Sequence, residues 1–557
     1  MKIINHIIIF SLITFLSACG GDEFDESLVL QEGQIEGVLH ESSIGKITFM
    51  DRYIPYDEYS EKDFLTQFSI NTSEKSDLFI RTFLDKTLAW RLHELAPKLT
   101  LEELCNQGNF QFSFYVNGKF IYKENLTVGA GGCSFKSSML VFTVPLFSEE
   151  EIDSWGRFLW MRFMKKGGGE GALSEGQHQL KIEIRPYVNA PDLKVGDIIA
   201  EGAINLNIIK KAVTESDIAI QDIAPESGFQ LSEDPFSKDK IRDLNKKIAQ
   251  NDFQDITSIV VLKNGQLLLE EYFNGSNRAT LHDTRSVGKT FAGTMLGIAI
   301  DEGHIKNEQQ TLDQFYALSD YDNHSKNKEK VTLKSLLTMS SGFDANDFDM
   351  NSPGNEEYMY PTDDWVKFAL DLPMDKQKTI GQNWNYFTAG IVILGDILNQ
   401  KLPEGLEKYT HEKLFEPLGI QSYQWQYTPT KVPNTAGGLQ LTSLDYAKYG
   451  QLYQNGGQWN GQQLITKDWV AASLAQQIAL PQGENEFYGY LFWNKTYEIN
   501  GHPYEVSYCS GNGGNKIFVF KDFPVVVVIT ATAYGQGFAH VQVDQIMNNY
   551  ILPAIVE

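Results

Sequence analysis

The strongest constraint on how this 557-residue chain can fold is a change of hydrophobic rhythm near Ile209. Before it, short runs such as Phe110 to Val116 and His178 to Ile184 alternate apolar and polar residues between Asn-Gly and Gly-rich turns, the pattern of half-buried strands. One helical patch, roughly Glu149 to Lys165, interrupts them, and the glycine run Gly167 to Gly171 reads as a mobile loop. From Lys210 to Gly228 the chain turns polar and acidic and the alternation stops. With 42% hydrophobic residues the chain is too long for one small core. The change of rhythm therefore divides it into a β-rich, sandwich-like domain over 31–211, a linker over 212–235 and a second domain over 236–557.

The second domain mixes periods. An amphipathic helix over Asp239 to Gln250 precedes a hairpin, Ser258 to Lys263 and Gln266 to Phe273, turned at Asn264-Gly265. Tyr504 to Cys509, Lys516 to Phe520 and Val525 to Thr530 read as three late strands, the last a continuous apolar run suited to the middle of a sheet. A closing helix covers Ala539 to Ile551. The expected class is α+β, an antiparallel sheet flanked by helices.

Charge narrows the partners. The formal net charge of −25 repels phosphate backbones, so nucleic acid is excluded as a natural partner. The start of the chain, one lysine and an apolar run from Ile7 to Leu16 before small residues, reads as an export signal over 1–18. Leu16-Ser17-Ala18-Cys19 resembles the lipobox of bacterial lipoproteins, which implies lipidation at Cys19, a tether over 19–30 and anchorage to a membrane. Gly20 after the cysteine implies the outer membrane if the cell is Gram-negative; a plain secretory signal is the alternative. In an exported chain Cys105 and Cys133 either pair or remain buried thiols, with Cys509 odd.

Directly after the hairpin comes His282-Asp283-Thr284-Arg285-Ser286-Val287-Gly288-Lys289, then an apolar helical run ending at Gly303 as C-cap. Ser286 and Lys289 share one helical face at its N-terminus. A serine hydroxyl needs a base to become a nucleophile, and a lysine one turn away serves where desolvation lowers its pKa. S-x-x-K also occurs at Ser43 with Lys46, Ser237 with Lys240 and Ser325 with Lys328, so context and not spacing singles out Ser286. A phosphate loop at Gly288-Lys289-Thr290 would require glycine where Asp283 stands. No H-E-x-x-H, C-x-x-C or G-x-S-x-G element occurs, which leaves a zinc protease, a thiol redox site and an α/β-hydrolase without support. No metal or organic cofactor is called for.

Over residues 236 to 557 these motifs resemble the serine β-lactamase and penicillin-binding protein superfamily. SIVVLKNGQLLLEEYF followed by SVGK, LLTMSSGF at Leu336 to Phe343, GGLQLTSLDYAKYG at Gly437 to Gly450 and SGNGGNKIFVF at Ser510 to Phe520 resemble its class C-like branch of esterases and 6-aminohexanoate-dimer hydrolases. The resemblance implies a β-lactamase-like sheet flanked by helices. It makes Tyr386, in Trp384-Asn385-Tyr386-Phe387-Thr388, the second proton-handling residue, its phenolate and the lysine ammonium favouring each other. It places Ser510, Gly511 and Asn512 on the substrate strand, with the Asn512 N–H as an oxyanion donor beside that of Ser286. Two departures stand out: Cys509 replaces the usual Lys or His, and Thr388 the usual Asn. Without that cation, a substrate carboxylate is poorly recognised, so an ester or non-standard amide, small or peptide-like, is expected over a β-lactam or D-Ala-D-Ala peptide. The N-terminal domain shows no catalytic cluster, and contact with cell wall or glycan is its candidate role. A binding lipoprotein that has lost activity is the alternative from another class.

Overall fold

A computed structural model describes residues 35, 37–72, 74, 76–148, 155–481 and 486–556. The signal, the tether and Cys19 lie outside the described residues. Among the described residues no helix is long and apolar enough to cross a membrane. The chain divides into two compact units, residues up to 208 apart from 71–75, and those five together with 209–557.

The first unit has two sheets. One runs Gln67–Asn71, Ala200–Ile209, Gly176–Asn189, Gly108–Val116, Lys119–Asn125, with Leu193–Val195 also on Gly176–Asn189; the other is Ile47–Met50, Leu78–Phe83, Val141–Phe147. Strand alternation sends Phe110, Phe112 and Phe114 to one side, where they bury with Ile182, Ile184 and Ile204 against Phe49, Ile80 and Phe142 of the smaller sheet. The helix Trp155–Lys165 joins this core through Phe163, stacked on Phe114 at 4.4 Å. Cys105 and Cys133 form a disulfide. The glycine run is packed instead of loose: a short helix covers Gly169–Ala172, and a Cβ at Gly167 would lie 2.5 Å from the Tyr122 ring. Glycine there permits close approach, a requirement that composition alone does not distinguish from flexibility.

The second unit is built on an eight-stranded antiparallel sheet, in the order Gln266–Tyr272, Ile256–Lys263, Val525–Ala531, Asn515–Phe520, His502–Gly511, Trp493–Ile499, Phe487–Tyr488, Ile478–Ala479. The run Val525–Ala531 is apolar throughout because both faces of the sheet are covered. Val526 and Val528 bury against the helices Lys289–Asp301, Thr388–Lys401 and Ser443–Gln454, while Val525, Val527 and Ile529 bury against Lys238–Ala249 and Ala539–Ile546. The fold is the α+β, β-lactamase-like arrangement expected. Gly303, at φ 80°, stands just past the end of Lys289–Asp301. The closing helix passes through a π-helical turn at Met547–Ile551 and continues to Val556. Residues 212–235 run beside the hairpin edge, where Leu231 bridges Leu267 and the Gln221 N–H donates to Glu271 Oε1 (2.8 Å).

Candidate active site

The segment before the nucleophile is held by a second, small sheet in which His282–Asp283 pairs with Leu439–Leu441. Thr284 donates from both its N–H (2.9 Å) and its hydroxyl (2.7 Å) to Leu439 O. Arg285 adopts a left-handed conformation, φ 46°, its N–H donating to Asp283 Oδ1 (3.0 Å). A non-glycine residue at positive φ immediately before a serine at a helix start is local strain held by its surroundings. Ser286 lies in the short 3₁₀ turn Arg285–Gly288 that leads into Lys289–Asp301, and is half-buried.

Lys289 is 1% exposed. Its Nζ donates to Ser286 Oγ (2.8 Å) and to Ala436 O (2.7 Å). That ammonium stands 5.2 Å from the centre of the Tyr386 ring. Tyr386 is buried, with its ring stacked against those of Phe348 (5.4 Å, 25°) and Trp493 (5.9 Å, 24°). The structure thus brings together Ser286, Lys289 and Tyr386, which lie up to 100 positions apart in sequence.

The strand edge approaches from the other side. A Cβ on Gly511 would lie 2.5 Å from Thr284 O and 3.3 Å from Ser286 N, so only glycine lets the strand His502–Gly511 come this near the nucleophile. Asn512 follows, its Oδ1 accepting from the Gly535 N–H (2.9 Å) and its O accepting from Asn515 Nδ2 (3.1 Å). Cys509 is buried facing the helix Lys289–Asp301, its Sγ 3.6 Å from Thr290 Oγ1, and burial pushes its thiol up to about 12. It remains neutral and supplies no cation.

Ser510 points to the opposite face, 3.5 Å from His540 Nδ1. Behind it Lys495 (2.6 Å), Lys516 (2.9 Å) and Tyr497 (3.0 Å) all donate to Asp544 Oδ1. The two lysines hold the Asp544 carboxyl well below the usual carboxylate range against the opposing effect of its burial, and burial, reinforced by the lysines, pushes His540 down to about 4. These charges are separated in sequence and no motif links them, so sequence reading passed over them.

It also passed over Asp347. Its Oδ2 accepts from the Thr388 N–H (2.7 Å) and its Oδ1 from the Glu356 N–H (2.9 Å), and burial, with Glu356 nearby, pushes its carboxyl up to about 6 against the opposing pull of Thr388 and Lys289. Its neighbour Thr388 is buried. The only signal was position, since Asp347 follows shortly after the LLTMSSGF run that ends at Phe343. Among the described residues no group of three or more His, Cys, Asp or Glu is placed to hold a metal ion.

The family model described as Beta-lactamase matches residues 250–547. PbpX of Bacillus subtilis (strain 168), described provisionally as a penicillin-binding protein, is 25% identical over 209 residues, 36% of this chain. The chain spans about half the length of that curated relative, 50% of it. Among solved structures, a Bacillus anthracis protein described provisionally as a 6-aminohexanoate-dimer hydrolase is 20% identical with a TM-score of 0.45, covering 53% of this chain and 79% of its own. The octameric penicillin-binding protein homologue of Pyrococcus abyssi is 20% identical with a TM-score of 0.43, covering 56% of this chain and 76% of its own.

Proposed function

The chain belongs to the beta-lactamase family, and from that premise we propose that it is a serine hydrolase of the carboxylesterase or amidase type, acting through an acyl-enzyme on Ser286. The observation that carries this reading is the 2.8 Å contact between Lys289 Nζ and Ser286 Oγ, made by a lysine whose one other hydrogen-bond partner is Ala436 O. The Ser286 hydroxyl attacks the substrate carbonyl carbon while its proton passes to the Lys289 and Tyr386 pair. The tetrahedral oxyanion is held by the N–H groups of Ser286 and Asn512. The carbon–oxygen or carbon–nitrogen bond to the leaving group then breaks as the pair returns the proton to it. Water, deprotonated by the same pair, cleaves the acyl-serine ester, releasing the acid and restoring the Ser286 hydroxyl.

An ester or uncharged amide is favoured as substrate because Cys509, in the place where relatives carry a cation, is a buried neutral thiol. Export and lipidation at Cys19 belong to the same proposal and rest on the leading sequence alone; Cys19→Ala is expected to release the protein from the membrane fraction. The N-terminal unit is assigned to binding cell wall or glycan, or to spacing the hydrolase from the surface.

Hydrolysis of a p-nitrophenyl ester panel by the full chain, with fluorophosphonate labelling of wild type, Ser286→Ala and Lys289→Ala, tests the reading. Turnover and labelling that vanish in Ser286→Ala are expected. Folded wild type that neither labels nor turns over would leave a binding lipoprotein, and covalent labelling by a fluorescent penicillin would move the substrate to β-lactams or D-Ala peptides.

A further inference from the structure

We propose that the dipeptide Asp347-Phe348 positions Tyr386 for proton transfer, Asp347 by clamping the two peptide groups that follow it and Phe348 by stacking on its ring. The inference rests on Tyr386 acting with Lys289 in hydrolysis.

The clamp is complete at the atomic level. The Asp347 N–H donates to Tyr386 O (2.9 Å), and its Oδ2 accepts from the Thr388 N–H (2.7 Å), so one residue grips the peptide groups either side of Phe387. Its remaining groups anchor it in turn: Oδ1 accepts from the Glu356 N–H (2.9 Å) and O accepts from Asn355 Nδ2 (3.1 Å). Asn355 is itself buried, and its Nδ2 also donates to Asp349 O (3.1 Å), which closes the turn. A carboxylate accepting from the first turn of Thr388–Lys401 also meets the positive end of that helix.

The ring is fixed separately. Phe348 is 68% exposed yet stacks on Tyr386, as does Trp493. The same ring also stacks on Trp384 (6.2 Å), so Phe348 belongs to the aromatic cluster that surrounds Tyr386. With two rings stacked on the phenol and the two peptide groups that follow it tied, Tyr386 is held at both its ring and its backbone. Displacements of an ångström in such a group lower rates by orders of magnitude.

The charge on Asp347 links the clamp to the catalytic pair. Lys289, from the helix Lys289–Asp301, favours the carboxylate; Glu356, from the helix Glu356–Met359, opposes it; Tyr360 and Tyr386 are the phenols nearby. Its carboxyl is pushed up to about 6, so the clamp is charged above that pH and neutral below it.

The test is the pH dependence of kcat and KM for p-nitrophenyl butyrate, measured on the full chain from pH 5 to 9 with melting temperatures alongside, for wild type, Asp347→Asn and Phe348→Ala. Asp347→Asn is expected to lower kcat about tenfold with KM within about twofold, and to abolish the wild-type fall in rate below about pH 6. Phe348→Ala, on an exposed ring, is expected to fold normally and lower kcat about threefold. Ser286-dependent turnover with kcat and the acid limb unchanged in Asp347→Asn overturns the inference alone. If Asp347→Asn does not fold, an unchanged kcat in Phe348→Ala overturns it and a lowered one supports it. A wild type without Ser286-dependent turnover overturns the hydrolase reading, and this inference with it.

Discussion

Two of the stretches of the second unit that carry the same four-residue pattern hold it in different surroundings. Ser286 with Lys289 and Ser325 with Lys328 are both S-x-x-K, and both lysines are buried. Lys328 Nζ donates to Asp322 O (2.8 Å) and Leu370 O (2.6 Å), and Ser325 Oγ accepts from the Lys328 N–H (3.2 Å), so lysine and serine are tied to backbone. Lys289 gives one bond to backbone and the other to the serine hydroxyl, on the side where Tyr386 stands. Lys136 of the first unit repeats the structural version, donating to Cys105 O, Gly108 O and Val128 O. Burial pushes Lys136 and Lys328 each down to about 8. Burial and spacing therefore do not separate a catalytic lysine from a structural one; the identity of its acceptors does.

Substitutions at the two serines should separate the stretches furthest. Ser286→Ala is expected to lower kcat for a p-nitrophenyl ester by at least about a thousandfold, whereas Ser325→Ala should stay within about twofold of wild type. Equal losses at both would end the distinction. Replacing the lysines by methionine sharpens it: Lys289→Met should lose about a hundredfold or more in kcat. Lys328→Met should keep its turnover and lose on the order of 2–3 kcal/mol in urea unfolding, because two buried carbonyls lose their donor.

Gly511→Ala places a methyl against Thr284 O, so the backbone must give way, and it is expected to cost at least about tenfold in kcat together with a lowered melting temperature. The last prediction concerns stability and its dependence on pH. His282 is buried, and burial pushes it down to about 4, below its unfolded value near 6.5. Its contribution is full above about pH 6.5 and is lost as pH falls towards 4, up to about 3 kcal/mol, because the unfolded chain takes up the proton first. Urea unfolding at pH 7 and 4.5 should show a shallower acid loss in His282→Gln than in wild type, and an equal loss would remove His282 as a cause.

Most of the main sheet was legible in the sequence. Alternation located the hairpin and the late strands, and the unbroken apolar run at Val525 announced a strand covered on both faces. The edge pairs Phe487–Tyr488 and Ile478–Ala479 were not legible, since two residues carry no period; the first is a strand because Trp493–Ile499 offers it a partner, and the second because the first does. Ser286 and Lys289 were readable because their relation is local, three positions on one helix.

The rest of the site is made of contacts between distant segments: Ala436 O on Lys289, Gly511 against Ser286, Asp347 around Tyr386, and Asp544 between Lys495 and Lys516. By itself the sequence determined which residues could do chemistry, the period of the main elements and their order, because propensity and periodicity act over a few residues. Tertiary structure alone decided which lysine faces a hydroxyl, which carboxylate is charged and which glycine is a point of close approach, because electrostatics and packing act through space between segments that are far apart in the chain.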